Sequence, residues 1–298
     1  MKTNLYRRWL SVGLSLIILF MLGSPVVGVI ADGAYPPTFL PIIGGKLGFG
    51  PGIVAGKVIN ASSGVPVNNA RVCINPSKCK TTGSDGKYQI TEVEPGGHLL
   101  TATADKFNSD SRWMGVVAGG SATQNFALAP VFTSENVALR VVLTWDPTPT
   151  WPNPNPPPPG WDNDLDAHLW MAAAFIPWHI STANPGDCRN YPNACLEVDY
   201  TQGFGPETLA ISVLETATYY YGVLNYYQGY PGVPPMTGTS AQVQVYNENG
   251  LLYTFKVPST GNGDLWYVFS MVSDGNLAVF TERNCITNDS NDSPPSCP

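Results

Sequence analysis

Charge is scarce in this chain. Only 12% of its 298 residues are Asp, Glu, Lys or Arg, and Lys and Arg together number 15. Past the N-terminus these cations form no Lys/Arg cluster. Phosphate binding needs basic patches, so nucleic acid is a poor partner. Histidine is rarer still, at three. No H-E-x-x-H and no C-x-x-C occurs, so a zinc centre has too few ligands. G-x-S-x-G, the phosphate-binding loop and the dinucleotide fingerprint are all missing. No helical period of useful length appears, and after residue 22 no long apolar run follows. The last absence argues against a membrane-spanning mature chain.

What is present points outward from the cell. Lys2, Arg7 and Arg8 precede an apolar stretch from Trp9 to Leu22, and small residues lead to Val29-Ile30-Ala31. This order predicts a Sec-type export signal over residues 1–31, cleaved after Ala31. The apolar stretch is shorter than the ~20 residues of a membrane span. No cysteine follows it to carry a lipid. Residues 1–31 hold three bases and no acid, so the remaining 267 residues carry 12 bases against 22 acids. Six cysteines behind an export signal are expected to form disulfides. Six allow 15 connectivities, and proximity favours Cys73–Cys79, Cys188–Cys195 and Cys285–Cys297. The expected location is extracellular or periplasmic.

Residues 32–50 are rich in Gly and Pro without a period and read as a linker. Residues 51–130 alternate short β-prone runs with turn residues: Ile53–Val58, Ala70–Ile74, Tyr88–Val93, His98–Ala104, Trp113–Ala118 and Thr123–Ala129. Six or seven strands at this spacing make a small sandwich. Residues 131–284 continue with β-prone runs at Val137–Thr144, Ala210–Leu214, Ala217–Tyr227, Gln242–Tyr246, Leu252–Val257, Leu265–Val272 and Leu277–Thr281. The turn Asn249-Gly250 marks a hairpin. A proline-rich insert, Pro147 to Pro159, reads as an exposed polyproline II segment. Residues 285–298 form a polar tail closed by a disulfide. The expected fold is all-β, with two β-sandwich domains in tandem after the signal peptide.

The first domain resembles the carboxypeptidase regulatory-like domain, a module of transthyretin-like, carbohydrate-binding-like fold. The matching residues are Gly56, Val58, Gly64, Pro66, Val67, Ala70, Val72, Thr82, Asp85, Gly86 and Tyr88, with Gly96 and Asn125-Phe126-Ala127-Leu128 later. The resemblance implies a folding module without peptidase chemistry, and the chain has no H-x-x-E zinc motif. The second domain resembles a family of secreted bacterial β domains of unknown function. The resemblance rests on D-L-D-A-H-L, Asp164 to Leu169, and on Leu196, Asp199, Gly203, Phe204, Gly205, Pro206 and Glu207. Glu197 replaces the usual Asp, and the proline insert is a departure.

Asp162, Asp164, Asp166 and His168 share one face if this segment is a strand. Two readings compete. In the first, the apolar alternates face the core and the acids face water. In the second, the acids hold a hard cation such as calcium, which takes 6–8 oxygens. Residues two apart on a strand lie ~6.6 Å from each other, so one strand cannot surround an ion. Asp199 and Glu207 in the Gly-rich turn are the expected additional ligands of Asp164 and Asp166. His168 reads as a hydrogen-bonded strand residue whose pKa is raised by the acids.

Tyrosines crowd residues 219–230, and most are explained by strand packing. Exposed aromatic faces also stack on sugars, and Trp161, Trp170 and Tyr226 are the candidate carbohydrate platform. Glycoside hydrolysis would need paired carboxylates, which Asp162–Asp166 and Glu207 could supply. Nothing in the spacing requires it. The expected function is a non-catalytic, secreted binding or structural protein of the cell envelope or extracellular space. Its expected partners are proteins or glycans at the cell surface, with calcium as the candidate cofactor. A carbohydrate-binding module and a glycoside-acting enzyme are the alternatives.

Overall fold

A computed structural model describes residues 50–132, 137–145, 164–173, 177–201, 204–229, 233–289 and 293–297, together with the short strands β1 (Leu19–Met21) and β2 (Ser24–Val26). The expected cleavage site, residues 32–49 of the linker, the proline insert, Trp161, Asp162 and Gly203 lie outside the described residues. The chain divides into two units, Met1–Leu47 and Gly48–Pro298. In the first, β1 and β2 pair antiparallel.

Among the described residues of the second unit the regular structure is strand, apart from one 3-10 turn at Met236–Gly238. Eight strands build the first sandwich: β3 (Gly52–Asn60), β4 (Arg71–Asn75), β5 (Lys78–Thr81), β6 (Lys87–Val93), β7 (Gly96–Thr103), β8 (Asp110–Val116), β9 (Ser121–Thr123) and β10 (Phe126–Leu128). One sheet runs β10-β3-β6 with β9 also on β3, and the other runs β5-β4-β7-β8. The core between them includes Val54, Val58, Val72, Tyr88, Ile90, Leu100 and Phe126. Val67, Ala70 and Val72 are buried, as their spacing predicts.

The expected single strand Thr123–Ala129 is two strands. Both β9 and β10 pair parallel with β3, and the chain steps between them at Gln124 and Asn125. The Lys57 N–H donates to Asn125 Oδ1 at 2.9 Å, and the Tyr88 hydroxyl donates to the Gln124 carbonyl at 2.5 Å. That carbonyl sits where a side chain on Gly56 would project. Only a residue without Cβ fits there.

The larger sandwich comprises β11 (Leu139–Thr144), β12 (Leu165–Ala173), β13 (Trp178–Ile180), β14 (Gly186–Asp187), β15 (Ala194–Val198), β16 (Glu207–Ile211), β17 (Thr216–Asn225), β18 (Gln242–Asn247), β19 (Gly250–Lys256), β20 (Leu265–Asp274) and β21 (Ala278–Thr287). Its sheets run β14-β15-β16-β11-β18-β19 and β13-β12-β17-β20-β21. Leu143, Leu165, Leu169, Leu209, Tyr221, Val243 and Phe269 meet between them. Asn249-Gly250 turns the β18–β19 hairpin as expected, with Gly250 at φ +107°. Strand β21 runs past Arg283, so Cys285 belongs to the sheet and not to the tail. The three disulfides are those that proximity favours: Cys73–Cys79, Cys188–Cys195 and Cys285–Cys297.

A third apolar cluster joins the two sandwiches: Ile59, Ala61, Ala127 and Ala129 from the first, Val142 and Tyr246 from the second. The Thr208 hydroxyl donates across it to the Ala61 carbonyl at 2.6 Å. Beside it Arg112 pairs with Asp110 at 2.8 Å and donates to Thr144 and Gln244, while Gln244 donates back to Asp110.

Candidate cation site

Strand β12 supplies the first two acids. Asp164 stands just before it and Asp166 is its second residue. Its odd-numbered residues Leu165, Ala167, Leu169 and Met171 enter the core, so the even-numbered ones share the opposite face. That face is not solvated. Asp164 is 6% exposed, Asp166 4%, His168 7% and Trp170 2%. The water-facing reading of the acids is therefore corrected: β12 is buried on both faces, and alternation does not separate core from solvent along it.

Strand β16 supplies the third acid. Leu209 and Ile211 face the core from this strand, and Glu207 shares their parity. It is 0% exposed. The turn before it is held by Trp145, whose N–H donates to the Phe204 carbonyl at 3.2 Å. Gly205 has φ +79°, and the Trp145 ring lies 2.8 Å from where its Cβ would be. This is a physical reason for the small residue in the Gly-Phe-Gly-Pro-Glu run. Strand β13 pairs with only the far part of β12, at Leu169–Met171. Glu207 Oε2 takes the Ala167 N–H of the open part at 2.5 Å.

The result is a cluster of one oxygen each from Asp164, Asp166 and Glu207, all within 4.8 Å of one another. Asp164 Oδ1 and Glu207 Oε1 are buried with no hydrogen-bond partner. None of the ion pairs among the described residues involves these acids. Burial, then the charge of Asp199, pushes Asp164 up to about 6. Burial, then Asp164 and Asp199, pushes Asp166 up to about 7. Burial and then Asp166 raise Glu207 well above the usual carboxylate range. Asp199 follows β15 and is exposed. It contributes field to the cluster but is not one of its three converging residues. Tyr221 is fully buried, and burial, then Glu207, raises its pKa.

His168 needs a correction. Burial, and then His179, pushes it down to about 3, so the imidazole is neutral. The expected rise presumed that the acids dominate, whereas desolvation penalises the charged ring more. His168 Nδ1 lies 2.8 Å from His179 Nε2, a partner that no spacing rule signals.

The carbohydrate platform does not assemble as expected. Trp170 is buried and stacks on His179, with centroids 4.6 Å apart. A sugar has no access to that indole. Tyr226 is 60% exposed but sits edge-on to Tyr227, 4.9 Å away.

Comparison with known families matches residues 53–129 to one model, described as carboxypeptidase regulatory-like domain. The first sandwich is a carboxypeptidase regulatory-like domain. The matched segment includes the cluster residues Ile59, Ala61, Ala127 and Ala129, and none of the three converging acids lies in it. No curated protein matches the chain. Among solved structures, a protein of unknown function, SAV2460, is 17% identical; the match covers 54% of this chain and 93% of that one, with a TM-score of 0.38. A homologue of the telluride resistance protein TerD, SCO6318 from Streptomyces coelicolor A3(2), is 19% identical, covers 54% and 99%, and has a TM-score of 0.35. Likeness at this level transfers no activity to this chain.

Proposed function

We propose that this chain is an exported, non-catalytic binding or scaffold protein whose larger sandwich is completed by a divalent cation, calcium by preference. One observation carries the cation: three buried carboxylates converge with two oxygens unpartnered. Burying ionised carboxylates costs several kcal/mol each unless charge or hydrogen bonds compensate. Protons shared within the cluster or a bound cation would both supply that compensation. An all-oxygen donor set suits calcium or magnesium over softer metals. Calcium tolerates irregular geometry, and Asp164, Asp166 and Glu207 would hold it, with water completing the shell. Three disulfides, and no helix among the described residues long and apolar enough to cross a membrane, fit an extracellular or periplasmic location.

The same geometry favours a structural over a glycosidic role. Carboxyls that flank a scissile sugar bond stand ~5–9.5 Å apart across an open cleft. Here they crowd together and Glu207 has no exposure. Titration of calcium chloride into EDTA-stripped protein at neutral pH tests the reading. One site is expected, lost in Asp166→Asn and Glu207→Gln. No heat with calcium, magnesium or manganese overturns it.

A further inference from the structure

A second feature lies away from the acids, where the regulatory-like domain meets the larger sandwich. A groove of about 970 Å³ opens there between strand β8 and the outer face of β18 and β19. Clefts between modules are common ligand sites. Its floor is a row of polar side chains. Val243 and Val245 point into the core, so Gln242 and Gln244 point out, and across the hairpin they pair with Lys256 and Thr254. On the wall stands Trp113, 71% exposed. Its register partner on β7, Leu99, is also exposed.

We propose that this groove binds a neutral oligosaccharide, with the Trp113 indole as the stacking platform. The lining argues for that ligand class. A sugar ring offers an apolar C–H face and a rim of hydroxyls, so it needs one flat aromatic surface beside side chains that donate and accept hydrogen bonds. Gln242, largely buried, and Thr254 offer both and line the same groove as Trp113, as does Ser111, whose hydroxyl also meets Thr101 Oγ1 at 2.8 Å. A strongly charged ligand is disfavoured, because Asp110 and Arg112 satisfy one another at 2.8 Å and leave Lys256 as the remaining cation of the lining. The floor is also held in place before any ligand arrives. Gln244 donates to Asp110 and accepts from Arg112, which ties the wall to the floor. A preformed surface loses less side-chain freedom on binding.

This gives the binding role proposed above a ligand class and rests on it; the cation is not required. The test is retardation of the purified protein in native gels cast with hydroxyethyl cellulose, xylan, glucomannan or dextran, each run with EDTA and again with calcium. Retardation in at least one gel, in both conditions, is expected. Trp113→Ala should weaken it roughly tenfold or more, as truncation of an aromatic anchor does. Trp113→Phe should recover part of the loss, and Leu277→Ala, exposed on the larger sandwich and outside the lining of the groove, should leave binding unchanged. Melting temperatures equal to that of the wild type show that the variants fold. Wild-type protein that none of the four gels retards overturns the proposal, as does retardation that survives Trp113→Ala. Loss of calcium binding with retained retardation would sink the cation reading and leave this one standing.

Discussion

The stability of the larger sandwich should respond to pH in opposite directions with and without the cation. Consider Asp166, raised from 3.8 to about 7. Each tenfold gain in proton affinity corresponds to ~1.4 kcal/mol. A carboxyl whose folded pKa lies above its unfolded value contributes stability that is fully present below the unfolded pKa and is lost as pH rises through the folded one. Without a cation, up to ~4 kcal/mol should disappear between about pH 4 and pH 7. Part of the rise is owed to Asp164 and Asp199, so this sum belongs to the coupled cluster and not to one residue. A bound cation reverses the trend because it prefers the ionised acids. At a hundredfold excess over Kd it adds ~2.7 kcal/mol. With ~2–4 °C per kcal/mol for a domain of this size, Tm should rise by roughly 5–11 °C on adding calcium at about pH 7.5. Asp164, Asp166 and Glu207, all raised, must shed their protons to bind the ion, so calcium affinity should be greater at about pH 7.5 than at about pH 5.5. Scanning calorimetry at both pH values, with EDTA and with calcium, reads each of these effects. A Tm indifferent to calcium at the higher pH, or equal calcium affinities at the two, refutes the reasoning.

Other substitutions probe the frame around the site. Gly56→Ala should cost about 3 kcal/mol or more, because the Gln124 carbonyl occupies the methyl position and cannot give way without breaking the step between β9 and β10; an unchanged Tm would contradict the packing described. Tyr246→Phe should be neutral or stabilising by about 1 kcal/mol, since its buried hydroxyl has no hydrogen-bond partner; a fall in Tm of several degrees would show a missing contact. Replacing Cys188 and Cys195 together with Ser should lower stability by ~2–3 kcal/mol, the value for a short loop, read by urea denaturation.

Most of the frame was legible because local rules and tertiary structure agree there. Asp85-Gly86 and Asn249-Gly250 turn the chain where their chemistry says, and the apolar periods of Val67 to Val72 and Val243 to Val245 face the cores. The three converging acids were also legible, since Asp164 and Asp166 share a parity and Glu207 closes a turn rich in glycine. What misled was the assumption that a strand has a wet face. Trp170 and His168 carry the parity of the acids, yet desolvation governs all of them, and no local pattern announces it. His179 pairs with Trp170 and reaches the His168 ring only because β13 folds back on β12. Trp113 was read simply as the start of a strand; its exposure follows the alternation of β8, whose Ser111, Trp113 and Gly115 are all exposed, but its place beside β18 and β19 is a fact of assembly that no local period contains.

The alternation along β10 has one more consequence. Phe126 and Leu128 plug the regulatory-like domain, while Ala127 and Ala129, on the same short stretch of backbone, abut the larger sandwich. Such a segment is a shared keel. Fraying it opens the core of one body and strips the flank of the other in a single event, so heat should melt the pair as one cooperative unit. A bulky residue at Ala127 would act as a wedge, felt in both cores at once although it enters neither.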